Sequence, residues 1–168
     1  TENLLSIKTG YFFILLLITL DLISKLMAEQ YLEFGQSVPL IPILDFFLVY
    51  NSGIAFSILD INNKMLSFGL STLGLLIVGY LNALYRVQES SIYQVTFILI
   101  ISGAMGNILD RLEDGVVTDF LYLHIGNISF FVFNLADAFI SIGAALFLIM
   151  EFKKYLYNSE PWKQKSFS

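Results

Sequence analysis

The chain has no cysteine, one histidine, three prolines and one tryptophan in 168 residues. Without cysteine there is no disulfide framework and no thiol nucleophile. The lone His124 cannot build a zinc site by itself. Charge is scarce, at 14% of residues, and no basic run points to nucleic acid. What the chain has in excess is hydrocarbon. Hydrophobic residues make up 57% of it and the mean hydropathy is +0.74. A soluble domain sits nearer 45–50% apolar with about a quarter charged, so the composition reads as a membrane protein of one compact domain, residues 1–168.

About 20 apolar residues span a hydrocarbon core of roughly 30 Å. Four segments qualify, at about 10–28, 66–85, 92–109 and 134–150. The short link from Arg86 to Ser91 makes the middle two an antiparallel hairpin. The first span follows Lys8 as a signal peptide would, but it lacks a small-residue cleavage site and runs into Asp21 and Lys25. It is expected to be a retained helix. Lys8, Arg86, Lys153, Lys154, Lys163 and Lys165 fall on one side, and Lys25, Lys64 and Arg111 on the other. The positive-inside rule then puts both termini in the cytoplasm. Two segments lie outside, at about 29–65 and 111–132. The first alternates β-branched and aromatic residues between Pro39, Pro42 and Asn51-Ser52-Gly53, which predicts short strands. The second ends in alternating apolar residues around Gly126 and Asn127, a candidate hairpin. The expected fold is a membrane all-α bundle of four transmembrane helices with a small extracytoplasmic β-sheet on the membrane surface.

Against this apolar ground the carboxylates stand out. An ionisable residue in or beside hydrocarbon is costly and is a functional candidate by default. Asp119 closes the run Gly115-Val116-Val117-Thr118-Asp119, and Asp137 closes Phe133-Asn134-Leu135-Ala136-Asp137. Neither has a cation near it in sequence. Two such acids suggest a pair sharing one proton, the chemistry of an aspartic protease. Asn134 and Asp137 also fit a helix N-terminal cap with an acid in the first turn. The two readings are compatible, since a helix N-terminus favours a negative charge there.

Other polar positions gather near the same outer face. Asp21 and Lys25 are four apart, so they share a helix face as an ion pair. Ser24 beside Lys25 brings a Ser–Lys dyad to mind, but adjacent helical residues point in different directions. Asn107, Asp110 and Arg111 fall at i, i+3 and i+4, below the small residues Ser102, Gly103, Ala104 and Gly106. Small residues let helices approach closely in a membrane. They account for a packing seam ending in an Asp–Arg pair, but not for an amide one turn inside the span. Asn51-Ser52-Gly53-Ile54-Ala55-Phe56 reads by itself as a surface turn between strands. His124 is expected at the surface. A small proton-coupled transporter is the alternative use of intramembrane carboxylates. The acids cluster at one face, however, and no internal repeat is visible.

Taken in order, Asp21 to Lys25, Asn51 to Phe56, Gly103 to Arg111, Gly115 to Phe120 and Phe133 to Asp137 resemble the motifs of the bacterial lipoprotein signal peptidases, the type II signal peptidases. The resemblance covers nearly the whole chain. Ile54 and Ser57 depart from the smaller residues usual after the Asn-x-Gly turn, which bears on pocket shape alone. The resemblance implies an inner-membrane endopeptidase that removes the signal peptide from prolipoproteins, just before a diacylglyceryl-modified cysteine. It implies a catalytic dyad at Asp119 and Asp137. Residues lining the site would be Asp21, Lys25, Asn51, Gly53, Asn107, Asp110, Arg111 and Asn134. It also implies contact with membrane lipid, inhibition by cyclic lipopeptides, and no cofactor. The first outer segment, with Phe46, Phe47, Tyr50 and Phe56, is expected to lie across the site and move when it is occupied.

Overall fold

The structure, a computed structural model, describes residues 6–53 and 63–158. Residues 54–62, with Ile54, Phe56 and Ser57, lie outside the described residues.

Four long helices alternate with two pairs of strands. In chain order these are α1 (Ile7–Tyr31), β1 (Ser37–Ile41), β2 (Leu44–Asn51), α2 (Asn63–Val87), α3 (Ser91–Asp114), β3 (Val117–Ile125), β4 (Ile128–Phe133) and α4 (Leu135–Asn158). Each helix has 24 or 25 residues. At 1.5 Å per residue that is about 36 Å, enough to cross a membrane. All four are apolar enough to do so. The helices run beyond the apolar spans seen in the sequence. Consequently Asp110 and Arg111 ride on the last turn of α3, and Glu29 on the last turns of α1.

α3 is the centre of the bundle and packs against each of the other three helices. Its small residues are where they approach. A Cβ on Gly103 would collide with the backbone of Ala136 in α4, and one on Gly106 would sit 2.5 Å from Asp21 Oδ2 of α1. The main core joins Ile14, Tyr85, Phe97, Ile98 and Ile101. Elsewhere large apolar side chains point outward, among them Phe12, Leu15, Phe68, Leu76 and Leu148. A belt of that size belongs to a surface that faces lipid rather than water.

The two outer segments make one antiparallel sheet in the order β1-β2-β3-β4. The β3–β4 hairpin turns at Gly126, whose φ of 57° is in the left-handed region that glycine adopts without strain. The central pairing is non-local and sets Asn51 opposite Val117 and Val49 opposite Asp119. A smaller core of Ala28, Leu48 and Phe120 seats the sheet on the outer end of α1. Expected separately as strands and as a hairpin, the two segments are joined across the head of the bundle.

Candidate active site

The polar residues converge where the sheet meets the ends of α1, α3 and α4. Lys25 lies at the centre and is 2% exposed. Its Nζ is 2.9 Å from Asp21 Oδ2, 3.1 Å from Asp110 Oδ2, and donates to Asn107 Oδ1 at 2.8 Å. A buried ammonium is tolerable only with such partners. The i,i+4 pair seen in the sequence is present, and Asp110 joins it from α3. Asp21 does further work: its Oδ1 accepts from the Ala136 N–H at 2.8 Å, in the first turn of α4. α1, α3 and α4 are thus tied together by charge.

Lys25 also fixes the side chain of Asn107. With Oδ1 taken by an ammonium, the amide must present its N–H groups elsewhere. Nδ2 donates to Asp137 Oδ1 at 2.8 Å. Asn134 does the corresponding work for the other acid. Its Nδ2 donates to Asp119 Oδ1 at 2.7 Å and lies 3.1 Å from Asn107 Oδ1. Asn134 is also the cap of α4. The Asp137 N–H donates to Asn134 Oδ1 at 2.9 Å, and Asp137 Oδ2 accepts from the Asn134 N–H at 3.3 Å. That is a reciprocal capping box. The cap and the acid–amide cluster are the same two residues.

Asp119 stands on β3, outside the membrane-spanning helices, and is 2% exposed. Its second oxygen accepts from Asn51 Nδ2 at 3.0 Å. Asn51 is oriented in turn by the Gly53 N–H, which donates to Asn51 Oδ1 at 2.8 Å. This is an Asx turn, and the chain leaves it through Gly53, whose φ of 85° favours glycine. The Asn-x-Gly motif is therefore a device for aiming an amide at Asp119. Burial raises the Asp119 carboxyl to about 6, and the charge of Asp137 adds to the rise. The hydrogen bonds from Asn51 and Asn134, with the charge of Lys25, pull the other way. One network therefore links Asp119 to Asp137 through Asn134 and Asn107.

One sequence expectation needs revision, the Asp110–Arg111 pair, while two others hold: Ser24 forms no dyad and His124 stays away from Asp119. Asp110 makes no ion pair with Arg111 among the described residues; it turns to Lys25 and accepts from the Thr118 N–H at 2.8 Å. Arg111 leaves the face it was expected to share and approaches Gly53, where an added Cβ would lie 3.7 Å from its Nη2. It also lines a cavity of about 340 Å³ with Ser67 and Ser71 of α2. Ser24 donates to the Asp21 carbonyl at 2.7 Å, so its hydroxyl is spent on its own helix and forms no dyad with Lys25. His124 sits in the hairpin, 3.1 Å from Asp45, far along the strand from Asp119. Sequence reasoning missed Glu29 and Thr118. The Thr118 hydroxyl donates to Glu29 Oε1 at 2.8 Å. The signal was available, since Glu29 is four residues after Lys25 and eight after Asp21, on the same helix stripe.

A family model described as signal peptidase (SPase) II matches residues 13–153. Lipoprotein signal peptidases of Brucella ovis and Brucella melitensis are each 36% identical over 149 residues, which is 88% of this chain and 91% of theirs. A bacterial membrane enzyme solved by the in meso method at 2.3 Å superposes with a TM-score of 0.75. It is 26% identical, with 92% of this chain and 94% of that one covered. A second such structure, at 1.9 Å, gives a TM-score of 0.74 at 26% identity, covering 91% of this chain and 98% of that one.

Proposed function

The chain belongs to the signal peptidase II family, and we propose that it is an aspartic endopeptidase that cuts signal peptides from prolipoproteins with water activated between Asp119 and Asp137. A multi-pass protease of bacterial lipoprotein processing is what the family and the four apolar helices support. The dyad is carried by one observation: two amides, the half-buried Asn107 and the buried Asn134, join the two carboxylates in a single hydrogen-bonded chain.

Close carboxylates titrate as a pair and share a proton. Asp119, with its carboxyl raised to about 6 by burial, is the member that holds it. Asp137, in the first turn of α4, is the base. Asp137 takes a proton from water as the water oxygen bonds to the scissile carbonyl carbon. Asp119 gives its proton to the carbonyl oxygen. The resulting tetrahedral diol collapses when the C–N bond breaks. The leaving nitrogen takes the proton from Asp137, and Asp119 regains one from the hydroxyl. Arg111 and Asn51, at the mouth beside Gly53, are placed to meet the substrate backbone. The substrate carries a lipid-modified cysteine and enters sideways from the membrane. Both termini are cytoplasmic, the site opens at the outer face, and cyclic lipopeptides compete for it.

The test is a purified enzyme with a synthetic diacylglyceryl peptide, reading product masses. The wild type should cut just before the modified cysteine. Asp119→Asn and Asp137→Asn should each remain folded in the membrane and lose cleavage. Near-normal turnover in either variant removes that residue from the mechanism.

A further inference from the structure

Thr118 is held by three helices at once. Its N–H donates to Asp110 Oδ2 of α3 at 2.8 Å. Its carbonyl accepts from Asn134 Nδ2, at the head of α4, at 3.3 Å. Its hydroxyl donates to Glu29 Oε1 of α1 at 2.8 Å. The residue is buried. No other part of the sheet is gripped this way by the hydrogen bonds of the described residues.

The grip comes where the sheet is weakest. Between Phe46 and Val49, β2 carries one residue more than β3, so Phe47 and Leu48 together oppose Phe120. Such a bulge disrupts the ladder and lets the strand bend. On the other side, the pairing of β3 with β4 begins only at Leu121. Residues Val117 to Asp119 therefore have a single neighbouring strand, interrupted one residue further on. Successive side chains leave a strand on opposite faces. The orientation of Thr118 accordingly dictates where the Asp119 carboxylate points. Two of the three anchors, Asp110 and Asn134, already belong to the polar network. Among the described residues Glu29 makes no hydrogen bond or ion pair with Lys25, Asn107 or either dyad acid, and its carboxyl accepts from the Thr118 hydroxyl.

We propose that Glu29 and Thr118 form a clamp that aims Asp119, with Glu29 a positioning residue that acts through the Thr118 hydroxyl. The role given to Asp119 rests on the peptidase reading above. A small error in the angle of a catalytic group lowers turnover without weakening substrate binding.

The test uses Thr118→Val, which keeps shape but loses the hydroxyl, and Glu29→Leu, which loses the acceptor. Each should lower kcat by about tenfold or more with KM within about twofold of wild type. Thr118→Ser and Glu29→Gln keep donor and acceptor and should restore kcat. The Thr118→Val/Glu29→Leu double variant should be no worse than either single one, because both remove one bond. Amide hydrogen exchange supplies a readout independent of catalysis. Exchange over residues 117–120 should quicken in Thr118→Val and Glu29→Leu while α3 and the β3–β4 turn stay as in wild type. Additive losses, a change confined to KM, unaltered exchange at 117–120, or unfolding by the exposed Glu29→Leu change overturns the clamp. A wild type that leaves the lipidated peptide intact sinks the peptidase reading instead, and exchange then decides the clamp alone.

Discussion

Asn134 caps α4 with its side-chain oxygen and holds Asp119 with its side-chain nitrogen, at 2.9 and 2.7 Å. One amide thus starts a transmembrane helix and orients an acid on a strand. The two duties separate by substitution. Serine caps helices well but has no amide nitrogen. Asn134→Ser should keep thermal stability within about 1 kcal/mol of wild type and lose about tenfold or more in kcat/KM. A fully active Asn134→Ser enzyme would confine Asn134 to its cap.

The pH dependence follows from Asp119. Burial favours its protonated form and sets its carboxyl near 6, so the proton is progressively lost as pH rises through that value. In the proposed mechanism this proton goes to the scissile carbonyl, so kcat/KM should fall on an alkaline limb centred near pH 6. The Asn51 hydrogen bond lowers the Asp119 value. Removing it in Asn51→Ala should move the limb to higher pH. Movement to lower pH, or none, would contradict Asp119 as the acid.

Lys25 is the only cation bonded to Asp21 and Asp110 among the described residues. Lys25→Met keeps a long side chain and leaves the buried Asp21 and the half-buried Asp110 without a counter-charge. Breaking a buried pair from one side costs about 3–5 kcal/mol, so thermal unfolding in detergent should shift down strongly. Asp21→Asn added to Lys25→Met should recover part of the loss. No recovery would mean that Lys25 stabilises by something other than charge.

Topology can be read chemically because the chain has no cysteine. Gln36 and Glu89 are both exposed, one before β1 and the other between α2 and α3. A membrane-impermeant thiol reagent on intact cells should label Gln36→Cys and spare Glu89→Cys. The reverse pattern would turn the protein over.

Much of this was legible because hydrocarbon makes polar residues conspicuous. The four helices follow from apolar length alone, and the Asp21–Lys25 pair from helical spacing. The strands announced themselves through Pro39, Pro42 and Gly126. Spatial convergence was hidden. Spacing put Asp110 and Arg111 on one face, yet Asp110 faces a lysine 85 residues away and Arg111 turns toward Gly53. Those choices are made by the helix packing at Gly106, which no local pattern encodes. The β2–β3 pairing was hidden for the same reason. Two strands on either side of a helical hairpin carry no mutual signal in periodicity, and the bulge opposite Phe120 exists only once they meet. Glu29 was overlooked because an acid near a helix end is usually solvated.

The seating of Lys25 one turn from Asp21 also bears on how the chain enters its membrane. α1 is made before α3, and Asp110 arrives only with α3. A lone lysine would have to wait at the edge of the hydrocarbon for its partner, where an unpaired charge is costly. With Asp21 on the same stripe, 2.9 Å away, α1 carries its own neutraliser. It can settle in the bilayer before α2, α3 and α4 are there. An isolated α1 segment should therefore insert more readily than its Asp21→Asn counterpart. The charge cluster at the head of the finished bundle is then built in instalments, each nearly neutral when it is added.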